Sequence, residues 1–266
     1  MAKSPAKSAE PQPVISENQG RPDGRDSKTL RPVKIQRHFT KHAHGSVLIE
    51  TGDTRVLVTA SVEERVPRHV FHSGNDNAGW ITAEYALLPG STNTRSNRER
   101  LKVSGRTTEI QRLIGRCLRA SFDLSRLGQR TITVDADVLQ ADAGTRVAAI
   151  TGAYVAVVDA LRKLQAEGHY QGEPGQDYGG LPILSPIAAV SVGVIDGDVR
   201  LDLTYEEDSN ADVDANIVMN ARGELIEFQA STEGKPFSRV LMTDMLDVAE
   251  SGIQSLLKAQ EAALSD

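Results

Sequence analysis

The hydrophobic period changes several times along the chain, and these changes constrain the fold more than any other feature. Residues 45–52 and 54–65 read as two apolar strands joined by a Gly-Asp turn, and residues 80–88 read as a third strand. From Thr107 onward, apolar residues recur at the spacing of one helical face. They are Ile110, Leu113, Ile114, Cys117 and Leu118. A helix therefore follows the first strands.

A similar order of elements appears again later in the chain. The Gly/Pro-rich segment 169–182 ends a first half that also has a strand at 130–139 and a helix from Thr145 or Arg146 to Leu164. The sequence also predicts a loop at 68–79, second-half strands at 187–195, 198–205, 213–220 and 224–230, and a last helix at 238–264. We therefore predict an α+β fold of two similar ββαβα-type halves, each of mixed β-sheet and helix.

Composition limits the class of protein. Residues 1–20 are rich in Pro, Ser, Ala and Lys and poor in bulky apolar residues, which predicts a disordered tail before a single domain at 21–266. Cys117 is the only cysteine, so an internal disulfide is excluded. The sequence has no run of eighteen apolar residues and no signal-peptide pattern. We expect a cytoplasmic protein without a membrane partner.

Charge is strongly segregated along the chain, although the net charge is only -6. Residues 95–130 contain ten Lys or Arg and three acids, whereas residues 196–227 contain ten acids and two Arg. This asymmetry predicts a polyanion-binding surface beside an acidic pocket. Two solvated faces that attract each other are the alternative.

The stretch "LQADAGTRVAAITGA" has the pattern of a small phosphate cradle. A strand ends there, a small-residue turn at Ala143-Gly144 follows, and a helix starts at Thr145-Arg146. Free backbone N–H groups at a helix start bind anions, and Thr145 and Arg146 add further donors. An ordinary helix start with a solvated arginine remains the alternative. No Walker phosphate loop occurs in the sequence.

Arginines dominate the segment just after the first strands. Arg106 stands just ahead of the predicted helix at Thr107, where it would place a second guanidinium near a small oxyanion. Arg112, Arg116 and Arg119 follow at helical spacing. That stripe could pair with acids of a neighbouring subunit, follow a phosphate backbone or remain solvated.

The segment "YEEDSNADVDANIVM" places five carboxylates within ten residues. They are Glu206, Glu207, Asp208, Asp212 and Asp214. Strand alternation directs Asp214 away from the apolar face, and a Ser-Asn turn brings Asp208 near it. Such carboxylates share a hard cation such as Mg²⁺, act as a general acid of raised pKa, or form a solvated hairpin.

Other common catalytic signatures are missing from the sequence. His38, His42 and His44 lie near one another, but no HExxH or CxxC spacing accompanies them. No G-x-S-x-G elbow is present either. The sequence therefore favours neither a zinc enzyme nor a serine hydrolase.

Several long motifs together resemble the bacterial ribonuclease PH family of phosphorolytic exoribonucleases. The motifs are "RPDGR", "TAEYALLPGSTNTR", "GRTTEIQRLIGR", "DVLQADAGTR", "YEEDSNADVD" and "FQASTEGKPFSR". The resemblance runs from about Arg21 to about Leu264. It implies the RNase PH fold, which is related to ribosomal protein S5 domain 2, and a homohexamer arranged as a trimer of dimers.

The resemblance also implies a reaction and a set of site residues. Inorganic phosphate, a co-substrate, attacks the last phosphodiester of RNA such as a tRNA precursor, and a nucleoside diphosphate leaves; the reverse reaction is tRNA nucleotidyltransfer. The family's phosphate-binding motifs fall on Arg106, Gly144, Thr145 and Arg146. The aspartates implicated in Mg²⁺ binding and acid catalysis fall on Asp208 and Asp214, and RNA-contact positions fall on Arg95 and Arg98.

Three positions depart from the family pattern. Gly90 stands where an arginine that grips RNA is common, Ala143 replaces the first glycine of "GGTR", and Ala230 replaces a glycine after Gln229. A non-catalytic RNA-binding ring subunit is the first alternative function, but such relatives typically lose the phosphate-binding or acidic residues that are present here. A metal-dependent hydrolytic nuclease is the second, and it would leave the phosphate cradle without a role.

Overall fold

Strands and helices alternate along the chain much as the hydrophobic period predicts. The computed structural model describes residues 20–71, 78–99, 102–172, 176–232 and 234–265. The strands are β1 (Val33–Arg37), β2 (Gly45–Thr51), β3 (Thr54–Glu63), β4 (Trp80–Leu87), β5 (Thr131–Gln140), β6 (Ile187–Ile195), β7 (Asp198–Leu201), β8 (Val213–Asn220) and β9 (Leu225–Thr232). The helices are α1 (Arg68–Phe71), α2 (Gly105–Ser121), α3 (Thr145–Ala166), α4 (Tyr205–Asp208) and α5 (Arg239–Ser265).

The strands form two sheets. The first has the order β1-β2-β3-β5-β4, in which β4 and β5 are parallel and the other pairs antiparallel. The second has the order β7-β6-β8-β9 and is antiparallel throughout. The parallel pair requires a crossover, and α2 supplies it along the edge strand β4.

Helix α3 lies between the two sheets, in contact with β2 and β3 on one side and with β6 on the other. Its Ala/Val-rich sequence has no polar face over most of its length, and residues 147–161 are buried without interruption. Small residues allow the close approach: a Cβ on Gly45 would overlap the carbonyl oxygen of Ala156, and one on Gly152 would press against Ile49. A helix that is apolar all round must be buried in this way.

The strands of the second sheet have two different faces. On β8, Val213, Ala215 and Ile217 pack with α5 in one hydrophobic cluster. The alternate residue Val218 belongs to the cluster around α3, on the same face as Asp214. The strand period therefore carries Asp214 to the side of the sheet on which α3 begins, as the sequence predicts.

The predicted α+β class with two similar sheet-and-helix halves is confirmed, although only the first half carries two long helices. Three local predictions were wrong. Residues 68–71 of the predicted loop form a helical turn, α2 begins at Gly105 rather than Thr107, and the strand from 198 ends at Leu201 instead of 205. Most of the predicted disordered tail, 1–19, lies outside the described residues.

Candidate active site

The first turn of α3 opens into a cavity of about 450 Å³ between the two sheets. Residues from several strands, helices and loops line its wall. They include Tyr85 of β4, Thr92, Asn93 and Thr94 of the following loop, Arg106 of α2, Ala143, Gly144, Thr145 and Arg146 at the start of α3, Tyr205 and Asp208 of α4, and Asp214 and Asn216 of β8. The structure thus brings Arg106, Gly144, Thr145, Arg146, Asp208 and Asp214 into one cavity.

The turn before α3 exposes backbone donors to this cavity. Ala143 and Gly144 both have left-handed backbone angles, with φ of 54° and 63°. Gly144 is the N-cap residue and makes no side-chain capping bond, so the first N–H groups of α3 have no side-chain acceptor there. The Thr145 hydroxyl is held 2.8 Å from the hydroxyl of Tyr85. These donors suit a small anion at the positive end of a long helix.

The buried side chain of Arg31 holds the turn before α3 in place. Arg31 donates from Nη1 to the carbonyl oxygen of Asp142 at 2.5 Å and from Nη2 to Asp202 Oδ1 at 2.7 Å. A Cβ on Gly144 would lie 3.1 Å from Arg31 Nη2, a tight contact, and the φ of 63° at this position would strain any other residue. The turn is therefore shaped by a residue more than a hundred positions away in sequence.

The turn before α3 is also hydrogen-bonded to helix α4, which carries Asp208. Asp142 Oδ1 accepts the backbone N–H of Tyr205 at 2.9 Å. Thr204 and Glu207 form a capping box at the start of α4. The cradle and the acidic helix are thus joined by hydrogen bonds.

Glu207 has a structural role, which differs from the three alternatives considered for the acidic segment. Arg21 donates to both of its carboxylate oxygens, at 2.8 and 2.7 Å, and Arg200 contacts it at 3.3 Å. Burial opposes ionisation of Glu207, but the bonds from Arg21 and Thr204 outweigh it and lower the pKa. This buried carboxylate is an ionised partner of arginine.

Asp208 has the opposite electrostatic environment. Asp208 is exposed on the cavity side, but the protein around its carboxyl partly desolvates it and raises its pKa, and the charge of Asp214 raises that pKa further. Arg106, Arg146 and Arg31 are close enough to oppose that shift. Asp214 accepts a hydrogen bond from Ser231 Oγ at 2.6 Å across the strand pair β8-β9. Two neighbouring carboxylates thus face the cavity beside the anion cradle.

The two arginines of the predicted phosphate site have different surroundings. Arg106 is exposed in the first turn of α2, which Ser104 caps by accepting the N–H of Thr107. Arg146 is mostly buried and bonds to Glu109 and Gln229. Sequence reasoning did not identify these two partners, because neither is near Arg146 in the chain.

The predicted RNA contacts Arg95 and Arg98 are exposed but do not line the cavity. The loop reaches it through Thr92, Asn93 and Thr94 instead. Arg98 lies near Asp137, where it opposes the effect of burial, which raises the pKa of that carboxyl.

In the basic stripe of α2, Arg116 pairs with Glu227 at 3.1 Å and Arg119 lies over the Trp80 ring at 4.5 Å, whereas Arg112 is exposed.

The departures Gly90, Ala143 and Ala230 fall in three different settings. Gly90 is exposed, and nothing lies within 4 Å of an added Cβ. Ala143 occupies a left-handed conformation that favours glycine. Ala230 pairs with Ala215 across the second sheet and packs against its hydrophobic cluster.

Among the described residues, no three or more His, Cys, Asp or Glu are grouped as a metal site. Within the described residues, the carboxylates that line the cavity are those of Asp208 and Asp214. Mg²⁺ is commonly bound in proteins through one or two carboxylates, with water or substrate phosphate completing its ligands, so the pair fits that ion. No helix in the described part of the chain is long and apolar enough to cross a membrane.

Comparison with known proteins agrees with this geometry. Residues 29–163 match the model of the 3′ exoribonuclease family, domain 1, and residues 185–252 match that of domain 2. A ribonuclease PH of Synechococcus sp. (strain JA-3-3Ab) is 56% identical over 245 residues, which cover 92% of this chain and 98% of the relative. One from Corynebacterium glutamicum (strain R) is 55% identical over 244 residues, 91% of this chain and 95% of the relative.

Solved structures share the fold at lower identity. An Archaeoglobus fulgidus exosome with RNA bound to the active site has a TM-score of 0.73 at 23% identity, covering 91% of this chain and 92% of that one. Rice Rrp46 has a TM-score of 0.72 at 20% identity, covering 92% and 100%. The family matches and the curated relatives show that this chain belongs to the 3′ exoribonuclease family, among the ribonuclease PH proteins.

Replacing Ala143 with glycine should stabilise the protein by about 0.5–1 kcal/mol, because glycine adopts the left-handed conformation without a Cβ penalty. Urea unfolding of the two proteins measures the difference. Ala141→Gly in the same turn, at a position without positive φ, is the control and should lower stability. Equal destabilisation of both variants would show that Ala143 is not strained.

Proposed function

We propose that the protein is a phosphate-dependent 3′-to-5′ exoribonuclease that trims the 3′ ends of tRNA precursors and other structured RNA. It releases nucleoside diphosphates, and in reverse it adds nucleotides as a tRNA nucleotidyltransferase. One observation carries the proposal: an anion cradle and a pair of carboxylates share a single cavity. Family membership agrees with it.

Inorganic phosphate would be the attacking group. We assign its binding to Arg106, Gly144, Thr145 and Arg146, which supply backbone, hydroxyl and guanidinium donors. Held there, one phosphate oxygen forms a bond to the last internucleotide phosphorus of RNA while the bond to the 3′-oxygen breaks. Positioning and charge stabilisation are the protein's main contributions to such a reaction.

The departing 3′-oxygen needs a proton. We assign Asp208 as its donor, because burial and the charge of Asp214 raise the pKa of this carboxyl. Asp208 and Asp214 are also the residues that would hold Mg²⁺. Because the ion binds ionised carboxylates, Asp208 would donate the proton only while it is not a ligand of that ion. That ion would supply positive charge to the phosphoryl oxygens as negative charge develops.

The described site does not favour the alternative functions. A hydrolytic nuclease uses water as nucleophile and has no need for an anion cradle. A non-catalytic ring subunit has no need for Asp208 and Asp214 at the same cavity. The curated ribonuclease PH relatives also favour the catalytic reading.

The remaining assignments concern the assembled protein. We propose that residues 21–266 act as one domain, that the protein works in the cytoplasm, and that six copies form a ring as a trimer of dimers. Arg95 and Arg98 would contact RNA beyond its last nucleotide, since both are exposed on the loop that follows β4. A ring would gather several such loops around one RNA molecule.

The function is tested by incubating the protein with a 3′-extended tRNA precursor and Mg²⁺, with and without inorganic phosphate. Nucleoside diphosphates released only when phosphate is present are the expected result. Nucleoside monophosphates released without phosphate would establish hydrolysis instead. Intact RNA under both conditions would favour the non-catalytic ring subunit.

Asp208→Asn should abolish most activity, by about 100-fold or more, while stabilising the metal-free protein at neutral pH. A carboxyl whose pKa is raised by folding stabilises the protein only while protonated, so wild-type stability declines as pH rises from about 3.9 through the folded-state pKa. The variant lacks that decline. Melting curves in a chelating buffer between pH 4 and pH 7 should show the difference growing with pH.

Asp212→Asn is the matched control, because it removes the same charge from an exposed position outside the cavity lining. It should leave activity unchanged. A melting temperature of Asp208→Asn that stays at or below wild type throughout would contradict the proposed environment of Asp208.

Gly90→Arg should strengthen RNA binding about 3- to 10-fold at low salt, since an added cation can neutralise one more phosphate. Open space around Gly90 accommodates the side chain. RNA KM measured over a range of salt concentrations should show a steeper dependence than wild type. Gly90→Gln, of similar length but uncharged, should not. If the acids of the adjoining cavity, such as Asp53 and Glu206, capture the arginine, the salt dependence will stay unchanged and the prediction fails.

A further inference from the structure

A closed set of hydrogen bonds surrounds the side chain of Arg146. Its Nη1 donates to Gln229 Oε1 at 2.9 Å and to Glu109 Oε2 at 3.2 Å. Gln229 Nε2 donates in turn to Glu109 Oε1 at 3.3 Å. The three residues come from α3, α2 and β9, so the set joins three elements at the rim of the cavity.

A side-chain amide suits the middle of this set. A guanidinium has donors alone and an ionised carboxylate has acceptors alone, so a residue between them must offer an acceptor to one and a donor to the other. Gln229 does both with its two terminal atoms. Glutamate at this position would set two carboxylates against each other, and lysine would repel Arg146.

The bonds also leave one side of the guanidinium available. Within the described residues, both hydrogen bonds of the Arg146 head are made by Nη1. Its Nε and Nη2 therefore form a free pair of donors, the arrangement that binds two oxygens of an oxyanion. With only 17% of the side chain exposed, Arg146 has little freedom to turn away.

The set further links the two arginines of the site. Glu109 lies three residues after Arg106 on α2, so both are on one face of that helix. Holding Glu109 against Arg146 thus limits how far the Arg106 turn can move from the start of α3. On β9, Gln229 and Ser231 are two residues apart and therefore lie on the same face of the strand. Ser231 donates a hydrogen bond to Asp214.

We propose that Glu109 and Gln229 are positioning residues that aim Arg146 at the cradle and thereby set the affinity for inorganic phosphate. The inference rests on the proposed function of that site. Neither residue lines the cavity, so they act through Arg146 and do not touch the substrate.

The test is steady-state phosphorolysis by Gln229→Met, which keeps the side-chain length and removes both hydrogen bonds. Phosphate KM should rise about tenfold, the size expected for lost hydrogen bonds to a charged group, while kcat and RNA KM change less than about threefold. Glu109→Met should show the same split. The double variant should lose little more than either single one, because the residues act together.

Gln111→Met is the control, since Gln111 also bonds to a glutamate, Glu84, and lies on the same helix. It should leave all three constants unchanged. An unchanged phosphate KM in Gln229→Met, or equal effects in Gln111→Met, would overturn the inference, as would a loss confined to kcat.

A second readout separates this inference from the proposed function. Inorganic phosphate should raise the melting temperature of the wild-type protein, and Gln229→Met should need about ten times more phosphate for the same shift. If the wild-type protein releases no nucleoside diphosphates, the proposed function fails, yet the melting shift still decides the role of Gln229. Equal phosphate dependence in both proteins would reject that role.

Discussion

Burial of α3 between the two sheets is the constraint on which the rest of the structure depends. The helix is apolar on every side, so both sheets must cover it. This packing fixes the position of its first turn at the mouth of the gap between the sheets, where backbone donors remain exposed to the cavity. The hydrophobic core therefore determines where the proposed anion site lies.

The acidic side of the site is set by buried ion pairs rather than by apolar packing. Arg21 holds Glu207, and Arg31 holds both Asp202 and the turn before α3. Charges this deeply buried are stable only when they are paired and hydrogen-bonded, so removing one partner would leave an unpaired charge. Both arginines precede β1, so the start of the described chain supplies these supporting ion pairs.

The sequence predicts those parts of the site that are local in the chain. The turn and helix start of the proposed cradle were predicted because strand, turn and helix start lie within ten residues, and the face of Asp214 was predicted because a strand alternates. Arg31, Glu109 and Gln229 were missed, since their contacts with Asp142 and Arg146 cross 111, 37 and 83 residues. No periodic pattern reports such a contact in a single sequence.

One error had a visible signal. The strand predicted to reach Tyr205 ends at Leu201, and the segment Thr204-x-x-Glu207 has the spacing of a capping box. The alternation of apolar residues up to Tyr205 led to the prediction of a strand instead. The cap matters for the site because it turns the chain into a short helix and places Tyr205 and Asp208 at the cavity wall.

Adjacent carboxylates in that helix have opposite electrostatic environments. The pKa of Glu207 is lowered because Arg21 outweighs the effect of burial, whereas the pKa of Asp208 is raised by burial and by Asp214. One helical turn thus directs Glu207 to the buried arginines and Asp208 to the cavity. Identity and spacing in the sequence could not separate them, because what differs is the set of charges that the fold brings to each. A crowded acidic segment therefore combines a structural ion pair with a carboxyl that is suited to chemistry.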